Sequence, residues 1–175
     1  MKSIKDFKNI IIVPFYEDET SLNFLLQDLQ KTFNNKFYIM VVDDGSINCK
    51  ITDQTLKLLN AKGCVIKLKR NVGHQQAIAI GIKYISQYVT SNQTIIVMDS
   101  DGEDLPKSAK ILSDEISKEE VDIVVAKRDK RTETFSFKIF YSIYKFIFYF
   151  LTGRVIDFGN FIALKKPAIL RLSSM

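Results

Sequence analysis

Five short apolar runs, separated by stretches long enough for helices, constrain this chain more than any other feature of it. Asn9 to Val13 is an unbroken, β-branched run that stops at Pro14, the pattern of a strand buried on both faces. Phe37 to Val42, Cys64 to Leu68, Thr94 to Met98 and Val121 to Ala126 repeat that pattern. After the first run, Thr20 and Ser21 offer an N-cap, and Leu22, Leu25, Leu26, Leu29 and Phe33 recur at helical spacing. A weaker helix is predicted from about Ile51 to Lys62, closed by Gly63. A third is predicted over Gln75 to Tyr88, with Ala77, Ile78, Ile82 and Ile85 on its apolar face. A fourth starts near Pro106 and carries Ile111, Leu112 and Ile116. Connections this long are not hairpins, so the alternation specifies an α/β domain with a mostly parallel central sheet flanked by helices.

The chain is large enough for one such domain and too small for two, with 175 residues of which 46% are hydrophobic. That composition excludes a disordered chain. A net charge of +5 is only mildly basic and does not by itself point to nucleic acid. Cys49 and Cys64 are the only cysteines and His74 the only histidine, too few ligands for structural zinc and no disulfide framework. The first eight residues alternate charge with single apolar side chains and lack a signal peptide's apolar segment, so a cytoplasmic protein is expected.

Residues 1–127 form the expected α/β core. Over 128–175 the pattern changes, and this part is expected to belong to the same domain. Lys127-Arg128-Asp129-Lys130-Arg131 is a basic cluster, followed by an aromatic-rich segment from Phe135 to Leu151. Lys138, Ser142, Lys145 and Thr152 make one narrow polar stripe on a helix that is otherwise apolar. Roughly 17 residues of helix span about 25 Å and include two lysines, which disfavours a transmembrane span. Two readings stay open: an interfacial helix resting on a membrane, and a core helix whose cover lies elsewhere.

In open parallel sheets a ligand sits beyond the carboxyl ends of the strands, where the strand order reverses. The loops that begin there are Pro14-Phe15-Tyr16-Glu17-Asp18, Asp43-Asp44-Gly45-Ser46, Arg70-Asn71-Val72-Gly73 and Asp99-Ser100-Asp101-Gly102-Glu103-Asp104. The first has no glycine, so it is not the turn that brings a dinucleotide pyrophosphate against a helix, and no Walker-type loop is present. An acidic crevice repels bare pyrophosphate unless a divalent cation bridges them. The Asp99-x-Asp101 pair offers hard oxygen ligands suited to Mg²⁺ or Mn²⁺. Taken alone, the same loop reads equally as a helix cap or a solvated turn.

Five sequence words, taken together, resemble the family-two, GT-A-fold glycosyltransferases, especially the branch of dolichyl-phosphate mannosyltransferase and bactoprenol glucosyltransferase. They are Ile-Val-Pro-Phe-Tyr-Glu-Asp-Glu (12–19), Val-Val-Asp-Asp-Gly-Ser (41–46), Arg-Asn-Val-Gly-His-Gln-Gln-Ala (70–77), Val-Met-Asp-Ser-Asp-Gly-Glu-Asp-Leu-Pro (97–106) and Gly-Asn-Phe (159–161). The resemblance implies a Rossmann-like GT-A nucleotide-diphospho-sugar transferase fold, with 1–127 as the nucleotide-sugar-binding core and 128–175 as the start of an acceptor-side region of the same domain, incomplete at its C-terminus. It implies that Pro14, Tyr16, Asp18 and Asp43 or Asp44 line the nucleoside pocket, with Arg70, Gly73, Asp99 and Ser100 completing the nucleotide-sugar site. Asp99, Asp101 and Glu103 would hold Mg²⁺ or Mn²⁺, while Arg128 and Arg131 would grip phosphate near the acceptor. Asp157 is the candidate base.

The implied reaction is inverting transfer of a sugar from a UDP- or GDP-sugar to a polyprenyl phosphate, at the inner face of the cell membrane with peripheral contact through 135–151. The alternatives are a glycan hydroxyl as acceptor, and a non-catalytic or inactive truncated nucleotide- or glycan-binding module. Nucleic acid is not an expected partner, because the acidic residues gather where the ligand belongs. The chain departs from the family pattern at Glu17, where asparagine is common, at His74, where lysine is common, at Glu103, where the mannosyltransferase branch carries glutamine, and after Phe161, where an arginine is often found.

Overall fold

The computed structural model describes residues 4–127 and 158–174. Six strands, β1 (Asn9–Phe15), β2 (Phe37–Asp43), β3 (Gly63–Lys67), β4 (Thr94–Val97), β5 (Ile123–Lys127) and β6 (Phe158–Leu164), form one sheet in the order β3-β2-β1-β4-β6-β5. The helices are α1 (Glu19–Phe33), α2 (Asp53–Leu58), α3 (His74–Ile85), α4 (Pro106–Lys118) and α5 (Lys166–Ser173). The strands β3, β2, β1 and β4 pair in parallel, as their unbroken apolar runs predict.

The sheet is packed on both faces, which is why period-two alternation is missing from β1 and β2. Ile11, Val13 and Phe15 of β1 point to the layer of α1, α2 and α4, whereas Ile10 and Ile12 point to α3 and α5. Leu22, Leu26 and Leu29 of α1 are almost wholly buried. Burying each contributes about 1.5–3 kcal/mol, so α1 is held by its core face more than by intrinsic propensity.

Several local expectations are corrected. The strand through Asn9 continues past Pro14 to Phe15, because its pairing with β2 runs on to Phe15 and Asp43 while its pairing with β4 ends at Ile12 and Val97. Met98 N–H donates to Ile12 O, so alternate residues of β1 face β4, and the donor that Pro14 lacks would point into the gap beyond that last bond. The N-cap of α1 is Asp18 and not Thr20 or Ser21, since its Oδ1 accepts from Ser21 N–H at 3.0 Å. The helix expected over 51–62 is shorter, and Gly63 does not close it. Asn60 takes the left-handed turn with φ 55°, and Gly63 opens β3 where an added Cβ would lie 2.3 Å from Ile39 O.

The last two strands depart most from the simple alternation. The run expected as the fifth strand of the alternation is β5, and among the described residues it lies at the sheet edge and pairs only with β6. Strand β6 runs antiparallel to both β4 and β5, with Val97 opposite Ile162. Its reversal brings the start of β6, including Gly159 and Asn160, to the same sheet end as the carboxyl terminus of β4. No helix among the described residues is long and apolar enough to cross a membrane. The segment 135–151 lies outside the described residues.

Candidate functional site

The helices leave the sheet in opposite senses on the two sides of β1, so the strand order reverses between β1 and β4, the place where sheets of this kind form a crevice beyond the carboxyl ends of their strands. The loops after β1, β2, β3 and β4 meet there, and their acidic residues divide into those that hold loops and those that face outward.

Asp44 holds the loop after β3. It is 4% exposed, and its Oδ1 accepts from Val72 N–H at 2.7 Å while its Oδ2 accepts from Gly73 N–H at 2.9 Å. A carboxylate spanning two successive amides fixes both the loop and the start of α3, of which Gly73 is the N-cap. Gly45 makes this approach possible. An added Cβ there would stand 2.4 Å from the Arg70 carbonyl carbon and 2.6 Å from Asn71 N, and φ is +77°. Asp43 is fully buried, accepting from Ser46 N–H at 2.9 Å through Oδ1, with Lys67 Nζ 3.5 Å from Oδ2.

Glu17 holds the loop after β2. Its Oε1 accepts from Ile47 N–H at 2.6 Å and Asn48 N–H at 3.0 Å, and its Oε2 accepts from Cys49 N–H at 3.0 Å. In return Glu17 N–H donates to Ser46 Oγ at 3.0 Å. Hydrogen bonds from Asn48 and Ile47 hold the Glu17 carboxyl below its ordinary range against the opposing effect of burial, with a lesser pull from Cys49. A depressed carboxyl pKa contributes stability that is complete above the unfolded value and is lost as pH falls through the folded one. Urea midpoints of wild type and Glu17→Gln, measured from pH 7 downward, are therefore expected to differ at neutral pH. They should begin to converge as pH falls below about 4, the carboxyl range of an unfolded chain, and meet only below the lower folded value; a gap independent of pH would refute this origin.

The loop after β4 is folded by Asp104, 3% exposed, whose Oδ2 accepts from Asp99 N–H at 2.9 Å. Asp101 and Glu103 are exposed at the crevice mouth, where Asp101 Oδ1 accepts from Glu103 N–H at 2.9 Å. Asp99 and Ser100 are partly buried. His74 Nε2 lies 3.1 Å from Asp99 Oδ1 and 3.0 Å from Asn160 Nδ2, and Gln75 Nε2 donates to Asn160 Oδ1 at 2.8 Å. This cluster ties the reversed strand β6 to α3 and to the β4 loop.

Among the described residues no three His, Cys, Asp or Glu side chains form a group that could hold a metal by themselves. The donor set nevertheless fits Mg²⁺ or Mn²⁺ bound in the manner of substrate-completed sites. Such cations take one or two carboxylates and complete their shell with phosphate oxygens and water, without an all-protein cage. Asp99 and Asp101 would supply those carboxylates, and Glu103 stands beside them on the same exposed turn.

Of the sequence candidates, Pro14 is buried in β1, Tyr16 is exposed at the mouth, and Asp18 caps α1. The Arg70 backbone lies against Gly45, and Gly73 donates to Asp44. Arg128, Arg131 and Asp157 lie outside the described residues. Glu17, Asp104 and Gln75 carried no assigned role in the sequence. Only Glu17 had a signal, being acidic where the family pattern favours asparagine.

A parallel α/β sheet with an acidic switch crevice, extended by a reversed strand beside β4, has the architecture of the GT-A nucleotide-sugar transferases. The fold matches a glucosyl-3-phosphoglycerate synthase from Mycobacterium tuberculosis solved with Mn²⁺, UDP-glucose and phosphoglyceric acid. The TM-score is 0.61 at 14% identity, over 93% of this chain and 58% of that one. The chain belongs to glycosyl transferase family 2, whose model matches residues 10–175. It is similar to the putative glycosyltransferase CsbB of Bacillus subtilis, with 30% identity over 78% of this chain and 41% of that protein. It is also similar to dodecaprenyl-phosphate galacturonate synthase of Rhizobium johnstonii, with 24% identity over 70% and 36% respectively. The chain thus spans about two-fifths of the length of these curated relatives.

Proposed function

We propose that this chain binds a UDP- or GDP-sugar in the β1/β4 crevice and belongs to an inverting glycosyltransferase whose acceptor is a polyprenyl phosphate. The observation that carries the reading is the convergence of the loops after β1, β2, β3 and β4 on one crevice, with Asp101 and Glu103 exposed at its mouth. The family membership supports sugar transfer as the activity. The similarity to a dodecaprenyl-phosphate galacturonate synthase favours a polyprenyl phosphate over a glycan hydroxyl as acceptor.

In this reading Tyr16 and Asp43 border the nucleoside. The loop Arg70 to Gly73, held by Asp44, and the half-buried Asp99 and Ser100 border the diphosphate. Mg²⁺ or Mn²⁺ at Asp99, Asp101 and Glu103 would supply charge neutralisation for the departing diphosphate. Asp104 sets the path of the β4 loop, so that Asp99 and Asp101 meet the donor without reorganising. A phosphate acceptor needs no protein base, because its second pKa is about 6 and its oxygen is largely ionised at neutral pH. A sugar hydroxyl would require one, and Asp157 would take that role. Arg128 and Arg131 would neutralise acceptor phosphate, with 135–151 resting on the inner face of the membrane.

The test is a thermal-shift panel of UDP- and GDP-sugars with and without Mn²⁺. A ligand at about a hundred times its dissociation constant stabilises by about 2.7 kcal/mol. For a domain of this size that raises Tm by roughly 5–10 °C. One donor should shift Tm by that much with Mn²⁺ and far less in chelator. No shift with any nucleotide sugar, or equal shifts in chelator, would overturn the donor site.

A further inference from the structure

We propose that Glu17 is a positioning residue of the donor crevice, clamping the loop after β2 in the form that meets the nucleoside. The inference rests on the donor-site reading above. Its ground is a closed arrangement between residues about thirty positions apart in the chain. The Glu17 carboxylate receives the three successive amides of Ile47, Asn48 and Cys49, and the Glu17 amide is received by Ser46 Oγ. Ser46 N–H in turn donates to the buried Asp43. The loops after β1 and β2 are therefore joined at Glu17 through both its carboxylate and its own amide.

The backbone supports the same assignment. Glu17 has φ +55°, a left-handed conformation that a long side chain adopts only where its surroundings hold it there. Charge-assisted bonds to backbone amides are shorter and stronger than neutral ones and supply that hold. Successive N–H groups turned to one point form an anion-binding concavity, and here the chain fills its own concavity with Glu17. The loop from Ile47 to Cys49 is consequently shaped before any ligand arrives, and the donor does not bear the cost of ordering it. Neither asparagine nor aspartate reaches as far as glutamate. Glutamine reaches, but it sets an NH₂ group against one of the amides.

The test uses the full chain with Glu17→Gln and Glu17→Ala, under conditions where thermal unfolding shows all three proteins folded. Amide hydrogen exchange is measured residue by residue, and UDP and GDP binding with Mn²⁺ is measured by calorimetry. In Glu17→Ala, exchange at Ile47, Asn48 and Cys49 is expected to accelerate at least about tenfold while the β1 and β2 amides keep their protection. Affinity for the nucleotide that wild type binds is expected to fall about tenfold, with Glu17→Gln between the two. Unchanged exchange at the three amides, or faster exchange with unchanged affinity, would overturn the positioning role. If wild type binds neither UDP nor GDP, the donor reading fails, and the positioning role falls with it.

Discussion

Replacing Asp99 and Asp101 together by alanine is expected to remove Mn²⁺-dependent nucleotide-sugar binding while leaving the protein folded. Asp101 is exposed at the crevice mouth, and its one recorded bond is the local turn to Glu103 N–H. Asp99 is partly buried, and its replacement removes the contact with His74, but His74 keeps Asn160 and the Asp99 N–H stays held by the Asp104 carboxylate. The loop should therefore keep its path. Losing even an outer partner of a metal site costs about 10–100-fold in affinity, so losing two direct carboxylates should cost on the order of a hundredfold or more. Calorimetric titration of the wild type and the double variant with the donor found in the thermal-shift panel reads this directly. Binding retained at wild-type strength would mean that the carboxylates of this turn do not hold the cation.

Asp44→Ala should act in the opposite way, chiefly on stability. Its two carboxylate oxygens hold Val72 and Gly73 at 2.7 and 2.9 Å. Hydrogen bonds to a charged acceptor are worth about 1.5–3 kcal/mol each, and Asn71 Oδ1 remains as a second acceptor for Gly73. A net loss of about 2–4 kcal/mol follows, or roughly 4–16 °C in Tm for a chain of this length. Asp44→Asn should fall between, since one oxygen acceptor survives. Urea denaturation of the three proteins measures the series, and a loss under about 0.5 kcal/mol in the alanine variant would show that the clamp contributes little.

The parallel half of the sheet was legible in the residues because a strand buried on both faces writes itself as an apolar run. That pattern located β1, β2, β3 and β4 within a residue or two at most ends. The turn chemistry was more ambiguous. Asp18, Thr20 and Ser21 are all competent caps, and only the chain's entry into α1 selects Asp18. Gly63 looked like a helix terminator, yet its lack of a side chain serves the approach of Ile39.

The order and content of the acidic loops were likewise readable, since three of the four strand ends carry Asp or Glu and favour a ligand that tolerates them. Their division of labour was not. Asp44, Glu17 and Asp104 turn inward to hold backbone amides, whereas Asp101 and Glu103 face outward. Nothing in residue type separates the two groups, because a carboxylate's role depends on which N–H it meets.

The sequence by itself therefore determined the α/β class, the parallel core and the end of the sheet at which the acidic loops gather, because hydrophobic periodicity and strand polarity are local properties. Only the tertiary structure decided that β6 runs backward between β4 and β5, and that Asn160 meets His74 beside Asp99. It alone decided that Glu17 closes on the loop of Ile47 to Cys49. These contacts join residues 25 to 86 positions apart. Their partners are set by packing of the whole sheet, and no local pattern encodes them.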